Sequence, residues 1–442
     1  MTSRPAIPVT ETAPSPATSS PAPAQVASAV RFNPFSAEFR RDPYPVYRDL
    51  RERAPVHRTL GMWVLTRHED VRAVLRDRTF SAGLIPRQIS RQAVRLGAED
   101  VGRVERLSVS SLVFTDPPAH GRLRALVNHV FTGQAIDALR PRITAVVDRL
   151  LADTVARGGL DAIGEFAAPL PLTVMCDWMG LPDDGSSTGT RARIAGWTHD
   201  IRFILEPGLI RADDLDRVRA ALESFVDVLN QVIAQRRARP GDDLVSRLLA
   251  ARTGDDDRLG DEEVAFVCVM CFVAGVETTT SLLGNAILAL LRHPAQEALL
   301  RRRPDLVGDA VGEALRYNAP LQLTKRLATR DLEIGGHQVH AGDELLLCLG
   351  ATGRDPAVFD DPDTFDLTRD RREHLAFGHG MHGCLGGALA RAQVEIALDR
   401  LYQLTSGLAL AADAREGNLA WQDHSFIVRG LTHLPLTIQA AL

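Results

Sequence analysis

Polar side chains disappear from one stretch of this chain: every residue from Val264 to Val276 is apolar or glycine, with Glu263 and Glu277 closing the run. A helix that is apolar on every side belongs in a core. The surrounding pattern extends it from Asp261 to Arg292, where His293–Pro294 stops it, a length of about 48 Å at 1.5 Å per residue. The apolar run alone falls short of the ~20 residues that cross a bilayer. Helical periodicity also predicts helices over Pro43–Arg53, Glu69–Asp77, Gly121–Phe131, Ala135–Ala156, Leu215–Arg237, Ala295–Arg302, Asp305–Tyr317 and from Gly387 to about Leu404. Alternation predicts strands at Met62–Thr66, Leu323–Thr329, Glu333–Ile334 and Glu344–Leu349, and a hairpin at Ser425–Leu436. Phe80–Val113 has weak periodicity and reads as a long irregular stretch, of the kind that is functional or mobile. A Pro/Asp/Gly-rich meander fills Thr352–Gly387. The pattern therefore predicts a mainly α protein with minor β.

Composition narrows the class. Of 442 residues, 45% are apolar and 24% charged, with a net charge of −5, which is globular and not basic enough for a nucleic-acid scaffold. Five cysteines in so long a chain argue against a disulfide framework and for a reducing, cytoplasmic setting. The pair Cys268 and Cys271 lies in the apolar run and reads as two small buried hydrophobes. Residues 1–30 are rich in Pro, Ala, Ser and Thr and read as a disordered tail, without the pattern of a signal peptide.

One segment carries distinctive chemistry: Phe377-Gly378-His379-Gly380-Met381-His382-Gly383-Cys384-Leu385-Gly386. A cysteine follows a glycine-rich loop and opens a helix, where backbone N–H groups lower a thiol pKa. Such a thiolate is presented to a metal or cofactor. One thiolate cannot close a zinc site, which wants four ligands, whereas haem iron needs a single protein ligand. The plainer alternative is a glycine-rich turn around a buried cysteine. In the long helix, Ala274-Gly275-Val276-Glu277-Thr278 combines a weak helix former with a hydroxyl that competes for backbone carbonyls. That pattern predicts a local opening and a polar notch. A carboxylate there is costly unless it pairs or works, and an acid beside an alcohol can deliver protons.

The Cys384 segment resembles the haem signature of the cytochrome P450 superfamily, Phe-Gly-x-Gly-x-His/Arg-x-Cys-x-Gly, at all its fixed positions. The resemblance implies haem b with Cys384 as its axial ligand, Phe377 under the thiolate, Gly378 in the loop, His382 near a propionate, and Gly386 letting the next helix approach the porphyrin. It implies that His120 and Arg124, in Asp116-Pro117-Pro118-Ala119-His120-Gly121-Arg122-Leu123-Arg124, and Arg326 bind propionates. Glu277 and Thr278, with Ala274 and Gly275, would relay protons to dioxygen. Glu313 and Arg316 would be a buried structural pair. Its usual third member, the arginine of Pro-x-Arg-Phe, is here Thr364 in Pro362-Asp363-Thr364-Phe365, so what completes the network is open. The resemblance runs from about residue 32 to the C-terminus and implies one helix-rich domain, 31–442, with small sheets around a buried haem.

The implied function is a monomeric haem-thiolate monooxygenase that tailors a hydrophobic secondary metabolite, such as a polyketide or terpenoid, by hydroxylation or epoxidation. Electrons would come from NAD(P)H through a separate ferredoxin reductase and ferredoxin, since the chain has no dinucleotide motif of its own. Alternatives are a non-oxygenase or peroxide-driven relative, a fatty-acid hydroxylase, or a haem sensor or electron carrier. Leu84, Ile85, Ile204, Met270, Val273, Leu321, Gln322, Ile427 and Val428 are the expected substrate-pocket residues, with Arg87, Arg91, Arg202 and Gln92 at a polar entrance. Lys325 is the single lysine, and strand alternation turns it away if Arg326 faces the haem. Arg122 and Arg391 are expected to form a basic ferredoxin patch.

Overall fold

The computed structural model describes residues 30–97, 102–181, 188–254, 257–369, 373–412, 414 and 419–441. The reading of the N-terminal tail lies outside these residues. The long helix runs unbroken over Asp261–Arg292. Asp261, Glu262 and Glu263 occupy its first turn, where the helix dipole favours negative charge, and the Glu263 carboxylate accepts the Gly260 N–H (2.9 Å). It packs against helices at Pro169–Trp178, Ala212–Ala238, Val307–Tyr317 and Gly387–Leu404. By length and composition this helix could cross a membrane; here most of its residues are buried among these neighbours. They share one apolar cluster that extends from Ile85 to Ile438.

Beside this helical body lies a five-stranded sheet in the order Val56–Thr59, Met62–Leu65, Glu344–Cys348, Leu323–Ala328, Phe80–Ser81. Only the pair Met62–Leu65 with Glu344–Cys348 is parallel. Arg326 stands opposite Leu345 and Lys325 opposite Leu346. These two leucines belong to different apolar clusters, one on each face of the sheet. A second sheet joins Gly159–Asp161, Pro435–Ala440 and Thr405–Leu410. The ends of the chain meet: Arg429 lies over the Trp421 ring, donates to Asn318 Oδ1 (3.0 Å) and reaches the carbonyls of Arg40 and Arg41. Phe426 and Ile427 pack on the cluster of Phe32, Phe39 and Tyr47.

Three expectations need correction. Phe80–Val113 is not irregular, because helices form at Leu84–Leu96 and Gly102–Ser110. Pro86 sits in the first helical turn, where proline is tolerated, and the inward residues Leu84, Ile85, Ile89 and Ala93 are few but correctly spaced. Gly97 closes that helix at φ 67°. No hairpin spans Ser425–Leu436. Trp421 bridges to Leu431 and Val428 to Leu321, and the real strand is Pro435–Ala440. Helices at Pro169–Trp178, Thr190–Ile201 and Leu244–Ala250 were not expected.

Candidate functional site

The glycine-rich loop leads into the helix Gly387–Leu404, and Cys384 sits three residues ahead of it. Gly378 and Gly380 adopt φ of 68° and 69°, the left-handed region that suits glycine. A side chain at Gly380 would strike the Leu75 carbonyl at 2.6 Å. The Cys384 N–H donates to the Phe377 carbonyl (2.8 Å), and the Phe377 ring lies where a Cβ on Gly387 would touch it at 3.6 Å. Cys384 is accessible, unlike Cys176, Cys268 and Cys348, and all five cysteines are free. Burial pushes its thiol up in pKa, against the N–H groups of Gly386 and Gly387 and the charge of Arg124. The expected lowering at a helix start is thus outweighed by desolvation. Cys271 is only partly buried, and its thiol is close enough to feel Cys384. Among the described residues no three His, Cys, Asp or Glu side chains gather to hold a metal ion, so Cys384 stands as a lone protein donor.

Cationic donors converge beside the loop. His120 and Arg124 share a face of the helix Ala119–Asn128, and the His120 and His382 rings lie 4.3 Å apart. Nε2 of each is buried with no hydrogen-bond partner among the described residues. Arg326 is buried too, and among the described residues it bonds only to the Lys325 carbonyl (2.7 Å) and Thr324 Oγ1 (3.5 Å), with no paired carboxylate. Burial brings Arg326 down to about 10. Burial, then Arg326 and His120, push His382 down to about 3. Arg124 donates to the Gly383 carbonyl (2.9 Å). Buried donors without acceptors cost free energy. This set is incomplete without an anion, and the paired propionates of haem fit it.

The expected local opening of the long helix is absent, because the helix is continuous through Ala274–Thr278, but this turn is accessible. Ala274 is exposed and Gly275 to Thr278 are partly so, while the turns on either side are buried. The Thr278 hydroxyl donates to the Ala274 carbonyl (2.7 Å). A Cβ on Gly275 or on Gly386 would meet nothing within 4 Å. An accessible thiol, two unpartnered imidazole nitrogens, the guanidiniums of Arg124 and Arg326 and an accessible helix face together make a cradle for one flat dianionic cofactor held by one thiolate. The chain belongs to the cytochrome P450 family. The family model described as Cytochrome P450 matches residues 205–404. The 6-deoxyerythronolide B hydroxylase of Saccharopolyspora erythraea is 36% identical over 91% of this chain and 98% of its own. The polyketide biosynthesis cytochrome P450 PksS of Bacillus subtilis is 31% identical over 92% and 98%. The crystal structure of CalO2 covers 93% of this chain and 99% of its own at 37% identity and a TM-score of 0.84. The P450 is accordingly a haem monooxygenase that draws electrons from redox partners.

Other expected residues of the P450 are placed unevenly. Ile85, Ile204, Met270 and Val273 share one apolar cluster, and Leu84 is buried nearby in sequence. Leu321 meets Val428 across a backbone bridge. Ile427 packs instead on the N-terminal cluster. Gln322 is buried with both ends of its amide engaged, accepting from Tyr47 (3.1 Å) and donating to Ala319 O (2.7 Å). Arg202 is buried, so it does not belong to an open entrance. Lys325 does turn away from Arg326, lying 5.9 Å from the Phe426 ring centroid. Arg122 is no free docking charge, because Asp257 (2.7 Å) and Glu263 (2.6 Å) hold it. Arg391 contacts His374 (3.0 Å) and lies over Phe377. Glu313 and Arg316 are fully buried together, and their third member is Arg369, five residues beyond Thr364 (Nε to Glu313 Oε1, 3.3 Å). Sequence reading also missed His424, whose Nε2 lies 2.8 Å from Glu277 Oε1; nothing in its local sequence marks it.

Proposed function

We propose that this P450 inserts one oxygen atom into a C–H or C=C bond of an apolar natural product of medium or large size, a polyketide or terpenoid, late in its biosynthesis. Its electrons come from NAD(P)H through a ferredoxin reductase and a ferredoxin, in the cytoplasm. The observation that carries this reading is the pair of accessible elements, the Ala274–Thr278 turn and Cys384, with apolar Ile85, Ile204, Met270 and Val273 in the main core cluster. An apolar wall with few polar groups suits a hydrophobic ligand. Relatives named for 6-deoxyerythronolide B and for polyketide biosynthesis support the substrate class.

Haem, when bound, supplies the activation of dioxygen. Cys384 would hold its iron, Arg124 and Arg326 would bind its propionates through charge-assisted hydrogen bonds, and His120 and His382 would add neutral imidazole N–H donors. Phe377 shields the sulfur, and Gly386 keeps the backbone close to the porphyrin. Met270 and Val273 exclude water from the substrate side. Glu277 holds a proton acceptor at Oε1, and Thr278 places a hydroxyl one residue on, so the pair conducts protons into the site. Two experiments test this. Thr278→Ala should keep haem and substrate binding but divert NAD(P)H electrons into hydrogen peroxide; unchanged coupling would remove Thr278 from the relay. A panel of macrolides and terpenoids should shift the haem absorption. A panel that is silent while fatty acids bind tightly would replace the substrate reading with a fatty-acid hydroxylase.

A further inference from the structure

A cluster of titratable side chains lies behind Glu277, on the side away from the haem loop. Three segments meet there: the long helix brings Glu277, the segment 199–206 brings His199, Asp200, Arg202 and Glu206, and the C-terminal stretch brings His424. Nε2 of His424 is 2.8 Å from Glu277 Oε1, with the two side chains 30% and 20% exposed. The His199 ring stands 5.8 Å from the His424 ring, edge to face. His199 itself is exposed. Exposure therefore falls from His199 through His424 to Glu277, and the contacts run in that order.

The neighbours hold this line in place. Arg202 contacts both ring nitrogens of His199 (3.4 Å). Glu206 accepts the Phe426 N–H (2.9 Å), which ties the segment 199–206 to the loop carrying His424. Asp200 faces Arg217 from the helix Ala212–Ala238 at 4.0 Å, and Lys325 feels Glu206 from the sheet. Burial by itself would raise Glu277. The His424 hydrogen bond, then the charges of Arg202, His424 and His199, hold it below the ordinary carboxylate value. An ionised carboxylate at this depth is a proton acceptor, and it needs a donor to reload it after each proton it passes on.

We propose that His424 is the residue that supplies protons to Glu277, taking them up at its own partly exposed ring, with His199 packed beside it. Imidazole is suited to this because its two nitrogens can take a proton on one side and release one on the other. A proton enters His424 at Nδ1 while the proton on Nε2 passes to Glu277 Oε1. The ring keeps its net charge, and rotation restores the first tautomer. His424 acts through Glu277 and is a positioning residue for the reaction. The proposal rests on the monooxygenase reading.

The test compares His424→Ala with His424→Gln in the haem-loaded protein. Glutamine keeps an N–H donor for Glu277 but cannot pass a proton through. Infrared spectroscopy reads the carboxylic-acid band of Glu277, assigned by its loss in Glu277→Gln, and needs no turnover. In His424→Ala this band should appear at higher pH than in wild type, because burial is less opposed. Under turnover, both His424 variants should lose on the order of tenfold in product formed per NAD(P)H, with peroxide rising and the loss deepening as pH rises. Glutamine restoring wild-type coupling at every pH would reduce His424 to a structural hydrogen-bond donor and overturn the proposal. An unmoved infrared band in His424→Ala would overturn it too. If Thr278→Ala and Glu277→Gln also stay coupled, the relay reading itself falls; if they uncouple and His424→Gln does not, only the role of His424 falls.

Discussion

Removing Arg369 tests how this P450 completes a buried charge network that its meander leaves without the usual arginine. Glu313 receives two bonds from Arg316 (2.8 and 2.6 Å), one from Arg369 (3.3 Å) and one from the Asp366 N–H (2.9 Å). Arg316 also donates to the carbonyls of Gly353, Pro362 and Thr364, each at 2.7 Å. Glu313 and Arg316 side chains are 0% exposed and Arg369 is 11% exposed. Breaking such a pair from one side costs about 3–5 kcal/mol, and a hydrogen bond to a charged group contributes about 1.5–3 kcal/mol. An unfolding entropy of roughly 2.1 cal/mol/K per residue, over about 410 residues, gives about 0.9 kcal/mol/K. Glu313→Ala should therefore lower the melting temperature by about 3–6 °C, and Arg369→Ala by about 2–3 °C. Thr364→Ala should change little, since only the Thr364 carbonyl is used. The assay is thermal melting of the haem-loaded protein, followed by circular dichroism and by the haem band, with a double-mutant cycle between Glu313 and Arg369. A shared network makes the double mutant less unstable than the sum of the singles, by about 1 kcal/mol. Melting of Arg369→Ala within about half a degree of wild type would refute the assignment.

Cys384→Ser should yield a chain that loses haem or lacks the red-shifted CO band of a thiolate-ligated haem; a normal band would move the axial ligand elsewhere. Glu277 is held below its ordinary value of 4.5 by His424 and Arg202 against burial, so its ionised form stabilises the fold above that value. The melting difference between wild type and Glu277→Gln should be present near neutral pH and disappear as pH falls through the lowered value; a difference that grows on acidification would contradict the pairing. Arg122→Glu should lower the melting temperature slightly, by facing Asp257 and Glu263 with a third carboxylate, with the redox-partner concentration for half-maximal rate unchanged; a raised requirement with unchanged melting would restore Arg122 to a docking surface.

Local pattern revealed the elements whose signals are strong within a few residues. The central helix is apolar for thirteen consecutive positions, which no surface element needs, and its ends carry acidic and Pro signals. The Cys384 loop is dense in glycines because backbone must pass close to other backbone, as at Gly380 and Leu75. Helix Leu84–Leu96 escaped because its buried face holds few apolar residues, with arginines and glutamines filling the rest. The helix Thr190–Ile201 escaped for a similar reason, since Thr, Gly and His weaken local propensity and tertiary packing overrides it. Within the site, Cys384 drew attention through its glycine-rich loop, and His120, His382 and Arg326 through the resemblance of their motifs to the family. Arg369 and His424 were not, because each acts on a partner 56 or 147 residues away and nothing local distinguishes them. The bond of Gln322 to Tyr47 was not legible either.

The bond from Arg429 to the carbonyls of Arg40 and Arg41 joins residues 389 and 388 positions apart, and this has a consequence for biogenesis. At about 5–20 residues per second, ribosomes release Arg40 roughly 20–80 s before Arg429 is made. Through that interval the face of Phe32, Phe39 and Tyr47 that Phe426 and Ile427 will cover has no native partner, and neither does Glu277 have His424. A nascent chain can build its cysteine loop and pack its first helices on Val64, Leu323 and Leu346 beforehand, but the contacts from Phe426, Ile427 and Arg429 come only after those late residues are made. Part of the first helices' apolar surface therefore waits for partners nearly four hundred positions downstream.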